Sequence, residues 1–333
     1  MKRNYSRRKF IRQTLGAGLV IAGADIALTQ TSCSGLRNKY DPKGLPTAVL
    51  GKTGVVIPRI AIGLGSRFLT IKTLDEAIEM CNYALDNGLY YWDTAHTYVN
   101  NESGAISEER LGHIIKDRRN EIFLSTKIAA RDTEGAKAQI ELSLKRLQTD
   151  HFDMMKIHSI ASREDVNEIC KTGGILDLFS KMKEEGVTKF IGFSGHGNAQ
   201  ALKMMIDTGR FDSMLFAMNH YAGPTDTRQE LLIPAAKERG IGVMLMKAVR
   251  PKETIEGVSV PELIRFALSL EGPDGVAVGM DSKNVVDSNL NILRNFKPMD
   301  AAEKIKYAEL LSPYFRHENL PWMKAGYHDG CWA

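Results

Sequence analysis

Residue types that move protons and hold charge recur at the ends of short apolar runs. Tyr91-Trp92-Asp93 leads into Thr94-Ala95-His96-Thr97-Tyr98, Leu124-Ser125-Thr126 into Lys127, and Met155-Lys156-Ile157 into His158. Together a carboxylate, a phenol, an ammonium and an imidazole can supply an acid or base, an orienting group and stabilisation for developing charge. Each has an ordinary explanation alone: an Asp after a strand caps a turn, a Lys snorkels to the surface, a lone His is satisfied in a core. Their joint appearance at the same end of three successive runs marks a candidate site. Asp93 with Glu102 is an alternative carboxylate pair, suited to a barrel hydrolase, but no second motif accompanies it.

The elements that must position these residues alternate along the chain. Thr47 to Pro58 reads as two short strands about a Gly-containing turn, a hairpin. Apolar runs then alternate with amphipathic helical patterns: Ile60 to Leu64 with Leu74 to Asn87, Tyr90 to Asp93 with Ser107 to Ile115, Ile122 to Lys127 with Thr133 to Leu147. Phe152 to His158 precedes a helix ending near Glu185, and Phe190 to Ser194 precedes Asn198 to Asp207. The last three pairs are Ser213 to Ala217 with Thr227 to Arg239, Gly242 to Lys247 with Ser259 to Leu270, and Gly275 to Val278 with Asn284 to Leu293. Eight β-then-α units with near-continuous apolar strands predict a (β/α)8 TIM barrel, an α/β fold whose strand C-termini meet at one face. No Gly-x-Gly-x-x-Gly follows a strand, which disfavours a doubly wound dinucleotide fold. Residues 47–300 are therefore expected to form the barrel. Residues 301–333, a helix through Leu311 and then a tail with Tyr314, Phe315, Trp322, Tyr327 and Trp332, are expected to cap one end.

Composition narrows the partners. The 333 residues carry 44 Lys and Arg against 40 Asp and Glu, and part of the excess lies in the first dozen residues, so the body lacks the basic footprint of a nucleic-acid binder. Cys33, Cys81, Cys170 and Cys331 show no metal-ligand or disulfide-framework spacing, and Cys81 falls on the apolar face of its helix. Ser6-Arg7-Arg8-Lys9-Phe10-Ile11-Arg12 before the apolar Leu15 to Ala24 stretch resembles a twin-arginine export signal, too short to span a bilayer. Residues 1–33 are thus expected to be a signal segment and 34–46 a linker. The resemblance implies the twin-arginine translocation machinery as a partner and a periplasmic or envelope location, with Cys33 a candidate lipid anchor.

The strand-end motifs resemble those of the aldo-keto reductases. Asp93-Thr94-Ala95-His96-Thr97-Tyr98 is similar to their Asp-Thr-Ala-x-x-Tyr, and Ser107-Glu108-Glu109-Arg110-Leu111-Gly112 to their Ser-Glu-x-x-Leu-Gly. Ser125-Thr126-Lys127, Ser143 to Asp150, Ile157-His158 and Ile191-Gly192-Phe193-Ser194 follow in the family's order. The resemblance implies NADP(H) or NAD(H) as cofactor and a small carbonyl or alcohol substrate. It assigns Tyr98 as proton donor, Lys127 as the charge easing that proton's release, Asp93 as the partner of Lys127, and His158 as the group orienting the substrate oxygen.

The cofactor side departs from the pattern. Ser194 is followed by Gly195 and His196 where the family commonly has Ser-Asn for the nicotinamide carboxamide, and Met246-Lys247 stands where an aromatic stacks on the ring. Asn219 and Lys247 are the candidate compensations, Arg250 a candidate pyrophosphate contact. At the adenosine end Ser282 and Asn289 remain, while Gly279, Met280 and Val285 replace the basic clamp on the 2′-phosphate. Lys283 would supply one charge there. A nicotinamide-binding redox sensor or partner module with little turnover is the alternative to an enzyme.

Overall fold

Eight of the apolar runs become the staves of a closed parallel barrel. The protein is described by a computed structural model, which covers residues 39–218, 228–249, 256–314 and 329. An antiparallel hairpin of β1 (Thr47–Val49) and β2 (Val56–Pro58) precedes the barrel strands β3 (Ile60–Gly63), β4 (Tyr91–Asp93), β5 (Phe123–Ile128), β6 (Phe152–Ile160), β7 (Thr188–Gly195), β8 (Ser213–Ala217), β9 (Gly242–Met246) and β10 (Gly275–Gly279). The strands follow sequence order and β10 closes on β3, with Val276 opposite Ile60 and Gly279 opposite Gly63. Burial on both faces explains the unbroken apolar runs: every residue of β4, β5, β8 and β9 is buried.

The helices are α1 (Leu74–Asp86), α2 (Ser107–Arg118), α3 (Thr133–Arg146), α4 (Arg163–Cys170), α5 (Ile175–Glu184), α6 (Ala199–Asp207), α7 (Arg228–Glu238), α8 (Val260–Ser269), α9 (Lys283–Arg294) and α10 (Ala301–Leu311). Their starts carry local instructions. At α1 the Thr73 hydroxyl accepts from Glu76 N while the Glu76 carboxylate accepts from Thr73 N, and α8 and α10 repeat this box with Ser259 and Asp300. The single helix expected to end near Glu185 is instead two, α4 and α5. Lys171-Thr172-Gly173-Gly174 separates them, with Gly173 at φ +72, a left-handed conformation that ends a helix. Cys81 packs in the core as its helical position implied, and burial pushes its thiol pKa up.

The hairpin closes the floor of the barrel. Lys52 N donates to Gly240 O at 2.6 Å, Leu50 is buried, and a Cβ on Gly51 would lie 2.3 Å from Gly242 N at the start of β9. The mouth is left as the place for chemistry. At the chain's end α10 packs along α8, with Tyr307 stacked on Phe266 and Arg265 paired to Glu303 at 3.0 Å. Of the tail beyond, Asp329 is described, and it lies at the mouth. Phe315, Trp322, Tyr327, Cys331 and Trp332 fall outside the described residues, as do residues 1–38, which include the expected signal segment and Cys33.

Candidate active site

Lys127 is where the site is assembled. The β4–β5–β6 register sets Asp93 beside Ser125 and Lys127 beside Lys156, so alternate side chains of three strands point at one spot in the barrel. Lys127 Nζ donates to Asp93 Oδ2 at 2.5 Å, to Thr94 O at 2.8 Å and to Tyr98 OH at 2.9 Å, and the side chain is fully buried. Lys156 Nζ donates to the other Asp93 oxygen at 2.7 Å, to Ser125 Oγ at 2.8 Å and to Tyr91 OH at 3.2 Å. Burial by itself raises the Asp93 pKa, but the ammoniums of Lys127 and Lys156 outweigh it and hold the carboxyl below its ordinary value. Burial is also the largest influence on Lys127 and lowers its pKa; Asp93 opposes that drop.

Tyr98 lies in the loop after β4, fixed by Tyr98 N to Ala95 O at 3.1 Å, Ser107 N to Tyr98 O at 3.0 Å and a bridge between Val99 and Ile106. Its ring packs at Gly65, where a Cβ would lie 3.1 Å from Tyr98 Cε2. His158 Nδ1 is 3.3 Å from Thr97 Oγ1, and its Nε2 is 3.2 Å from Asp329 Oδ2. A carboxylate only accepts, so Nε2 carries the proton and Nδ1 accepts from Thr97. Burial pushes the His158 pKa down despite Asp329, keeping the ring neutral and able to donate from Nε2. Between Ile157 and Ile160, around His158, β6 slips in register against β7, and Ser159 stands at φ +56. Arg131, paired to Asp165 at 2.5 Å, donates to His158 O at 2.7 Å and Ser159 O at 3.3 Å and so holds the irregular backbone.

The four residues expected to carry the chemistry, Asp93, Tyr98, Lys127 and His158, therefore meet. Three partners went unread in the sequence. Lys156 had a signal, since it shares the strand face of His158 two residues on. His196, just past β7, lies 3.4 Å through Nε2 from Asp329 Oδ1, and burial lowers its pKa. Asp329 had none. Its carboxylate accepts from Tyr98 OH at 3.0 Å and from Lys247 Nζ at 2.6 Å. Burial pushes that carboxyl up, yet Lys247 and His196 dominate in sum and place it well below the usual carboxylate range.

The candidate cofactor residues divide. Ser194 is buried, and its Oγ accepts from Ser159 N at 3.0 Å. Lys247 stands at φ +64 and donates to Asp329, which also accepts from Tyr98. Ser282 caps α9 through Val285 N, and Asn289 donates to Val285 O. Lys283 pairs with Glu79 rather than offering an uncommitted charge, and Asp281 at the same helix start pairs with Arg67 at 2.7 Å. Asn219 and Arg250 lie outside the described residues. The hydrolase alternative fails: Asp93 is buried under two ammoniums and the Ser125 hydroxyl, while Glu102 sits exposed in a loop, so the two form no working pair.

The aldo/keto reductase family model matches residues 60–251, from the first barrel strand to just beyond the seventh. The chain belongs to the aldo/keto reductase family. Among curated proteins it is 27% identical over 215 residues to the uncharacterized oxidoreductase YrpG of Bacillus subtilis, covering 59% of this chain and 64% of that protein, just under two thirds of its length. It is 26% identical over 330 residues to the L-galactose dehydrogenase of Arabidopsis thaliana, covering 84% of this chain and 97% of that enzyme. A solved aldo/keto reductase from Klebsiella pneumoniae in complex with NADP and acetate shares the fold at a TM-score of 0.62 and 20% identity, over 80% of this chain and 95% of that one.

Proposed function

We propose that this aldo/keto reductase is a nicotinamide-dependent oxidoreductase that interconverts a small carbonyl compound and its alcohol, with Tyr98 as general acid. The contact from Lys127 Nζ to Tyr98 OH, backed by Asp93 on the far side of the ammonium, carries the reading. A phenol ordinarily keeps its proton to about pH 10, and an adjacent ammonium stabilises the phenolate left behind. His158 Nε2–H points at the same place as Tyr98 OH, so an oxygen bound there meets two donors as it gains charge.

The residues present fit a nicotinamide. Ser194 Oγ accepts one backbone bond and still has its own proton to donate, which suits a carboxamide oxygen. Ser282 and Asn289 at α9 would hold the adenosine end. The Klebsiella neighbour binds NADP, which supports the cofactor class for this chain. When bound, a reduced nicotinamide supplies the hydride. Tyr98 gives the proton to the substrate oxygen, Lys127 and Asp93 hold the remaining charge, and His158 fixes the direction of the oxygen's lone pair.

Export by the twin-arginine route, to the periplasm or to a lipid anchor at Cys33, belongs to the same proposal; the Arg7-Arg8 pattern before an apolar stretch supports it. The test is direct. NADPH and NADH are titrated by fluorescence, and aldehydes, ketones and sugars are then screened for turnover. Tyr98→Phe lowers carbonyl reduction by about a hundredfold with cofactor affinity nearly unchanged. Cofactor binding without any turnover by the parent protein would leave the sensor module as the better reading. No cofactor binding would remove both.

A further inference from the structure

One ion pair holds the irregular backbone that carries His158. β6 keeps register with β7 as far as Ile157 opposite Phe193 and resumes it at Ile160 opposite Gly195, so His158 and Ser159 together stand against Ser194 alone. An extra residue of this kind re-aims the side chains beside it. Ser159 absorbs it at φ +56, a left-handed conformation that a residue with a Cβ rarely takes. All three polar groups of Ser159 are engaged: N donates to Ser194 Oγ at 3.0 Å, O accepts from Arg131 Nη2 at 3.3 Å, and Oγ lies 3.4 Å from His196 Nδ1.

Arg131 supplies the restraint. Its Nε and Nη2 donate to the two oxygens of Asp165 at 2.5 and 3.1 Å, the planar fork that a carboxylate matches. Nη2 also donates to His158 O at 2.7 Å, and Nη1 donates to Ala129 O at 2.9 Å, just past β5. Asp165, in the first turn of α4, accepts in addition from Ala161 N at 3.0 Å. One guanidinium thus ties together the exits of β5 and β6 and the start of α4. It is spent on a carboxylate and three backbone carbonyls, so what it contributes to the chemistry passes through residues 158 and 159.

Those two residues serve different halves of the site. His158 offers Nε2–H to the substrate oxygen. Ser159 N fills one lone pair of Ser194 Oγ, and this leaves the Ser194 proton for a carboxamide oxygen. We propose that Arg131, paired with Asp165, is the positioning residue for both: by holding the extra residue of β6 it fixes His158 toward the substrate and Ser194 toward the cofactor at once. The inference rests on the oxidoreductase reading. A lysine at position 131 keeps a charge for Asp165 but loses the fork, and the backbone at Ser159 is then free to leave its left-handed state.

The experiment is a pair of double-mutant cycles on the full chain. At saturating cofactor, Arg131→Lys is expected to lower kcat/KM for a carbonyl substrate by at least about tenfold, but by less than about threefold in a His158→Ala background. In the second cycle it weakens NADPH or NADH binding, read by fluorescence, by at least about fivefold, but by less than about twofold in a Ser194→Ala background. A third readout needs neither turnover nor cofactor: the ring 15N shifts of His158, assigned by their loss in His158→Ala, move in Arg131→Lys, while those of His113 on α2 and His151 ahead of β6 stay in place. Asp165→Asn tests the clamp from its other side if the lysine variant is unstable. Equal losses in the single and double backgrounds, or unmoved His158 shifts, would make Arg131 a general support of the fold and overturn the proposal. Coupling in one cycle alone would overturn the claim that one pair serves both ligands. If the parent turns nothing over, the oxidoreductase reading fails on its own, and the cofactor cycle and the ring shifts still decide the clamp.

Discussion

Lys127→Met keeps the bulk of the side chain and removes the ammonium that lies 2.9 Å from the Tyr98 hydroxyl. Unit charges at that separation interact by about 6 kcal/mol at an effective dielectric of about 20. Proton transfer part-way complete in the transition state feels roughly half of this, about 3 kcal/mol, which is a rate loss of about a hundredfold. The sign for pH follows: without the neighbouring cation the phenolate is disfavoured, so the limb of the rate profile that reports Tyr98 moves to higher pH. Single-turnover hydride transfer, followed by nicotinamide absorbance over roughly pH 6 to 10, measures both effects. Lys156→Met is the control, because Lys156 also serves Asp93 but otherwise touches Ser125 and Tyr91 rather than the Tyr98 hydroxyl. It should slow the step by about tenfold at most, through a less firmly held Asp93. A Lys127→Met enzyme within about threefold of the parent, with an unmoved profile, would refute the assignment of Lys127 to the Tyr98 proton.

Two other perturbations probe different parts of the molecule. Burial is the main cause that raises the Glu108 pKa to about 7, against the help of Thr126 at 2.7 Å. The neutral carboxyl is thus the form the fold favours, and the associated stability, about 3 kcal/mol, is fully present below the unfolded pKa and lost as pH rises through 7. Glu108→Gln should therefore gain melting temperature relative to the parent between about pH 5 and 8, by a few degrees, whereas an offset constant across that range would show that Glu108 ionisation is not felt. Replacing Arg7 and Arg8 together with Lys should leave a folded, cofactor-binding protein in the cytoplasm; arrival of the substituted protein in the envelope by cell fractionation would defeat the export reading.

The barrel and the four polar residues that meet at its mouth were legible along the chain because both are written in local periodicity. Apolar runs of strand length followed by amphipathic helices fix the number of β-then-α units, and the residue closing a strand falls at the mouth whatever the helices around it do. That is why Asp93, Lys127 and His158 were found without coordinates, and Tyr98 with them through its motif. The break between α4 and α5 was not read, although Gly173-Gly174 signals it, because the amphipathic pattern runs across both helices. What only the tertiary structure decided is who meets at the mouth. Strand register set Lys156 opposite Lys127 on the same Asp93, and Lys247, at a left-handed backbone, donates to Asp329. Asp329 is 231 residues from Tyr98, and nothing within its own segment predicts that distance closing. Side-chain contact across a closed barrel is a property of all its strands at once, so the meeting of Asp329 with Tyr98, His158 and Lys247 appears only when the chain is folded.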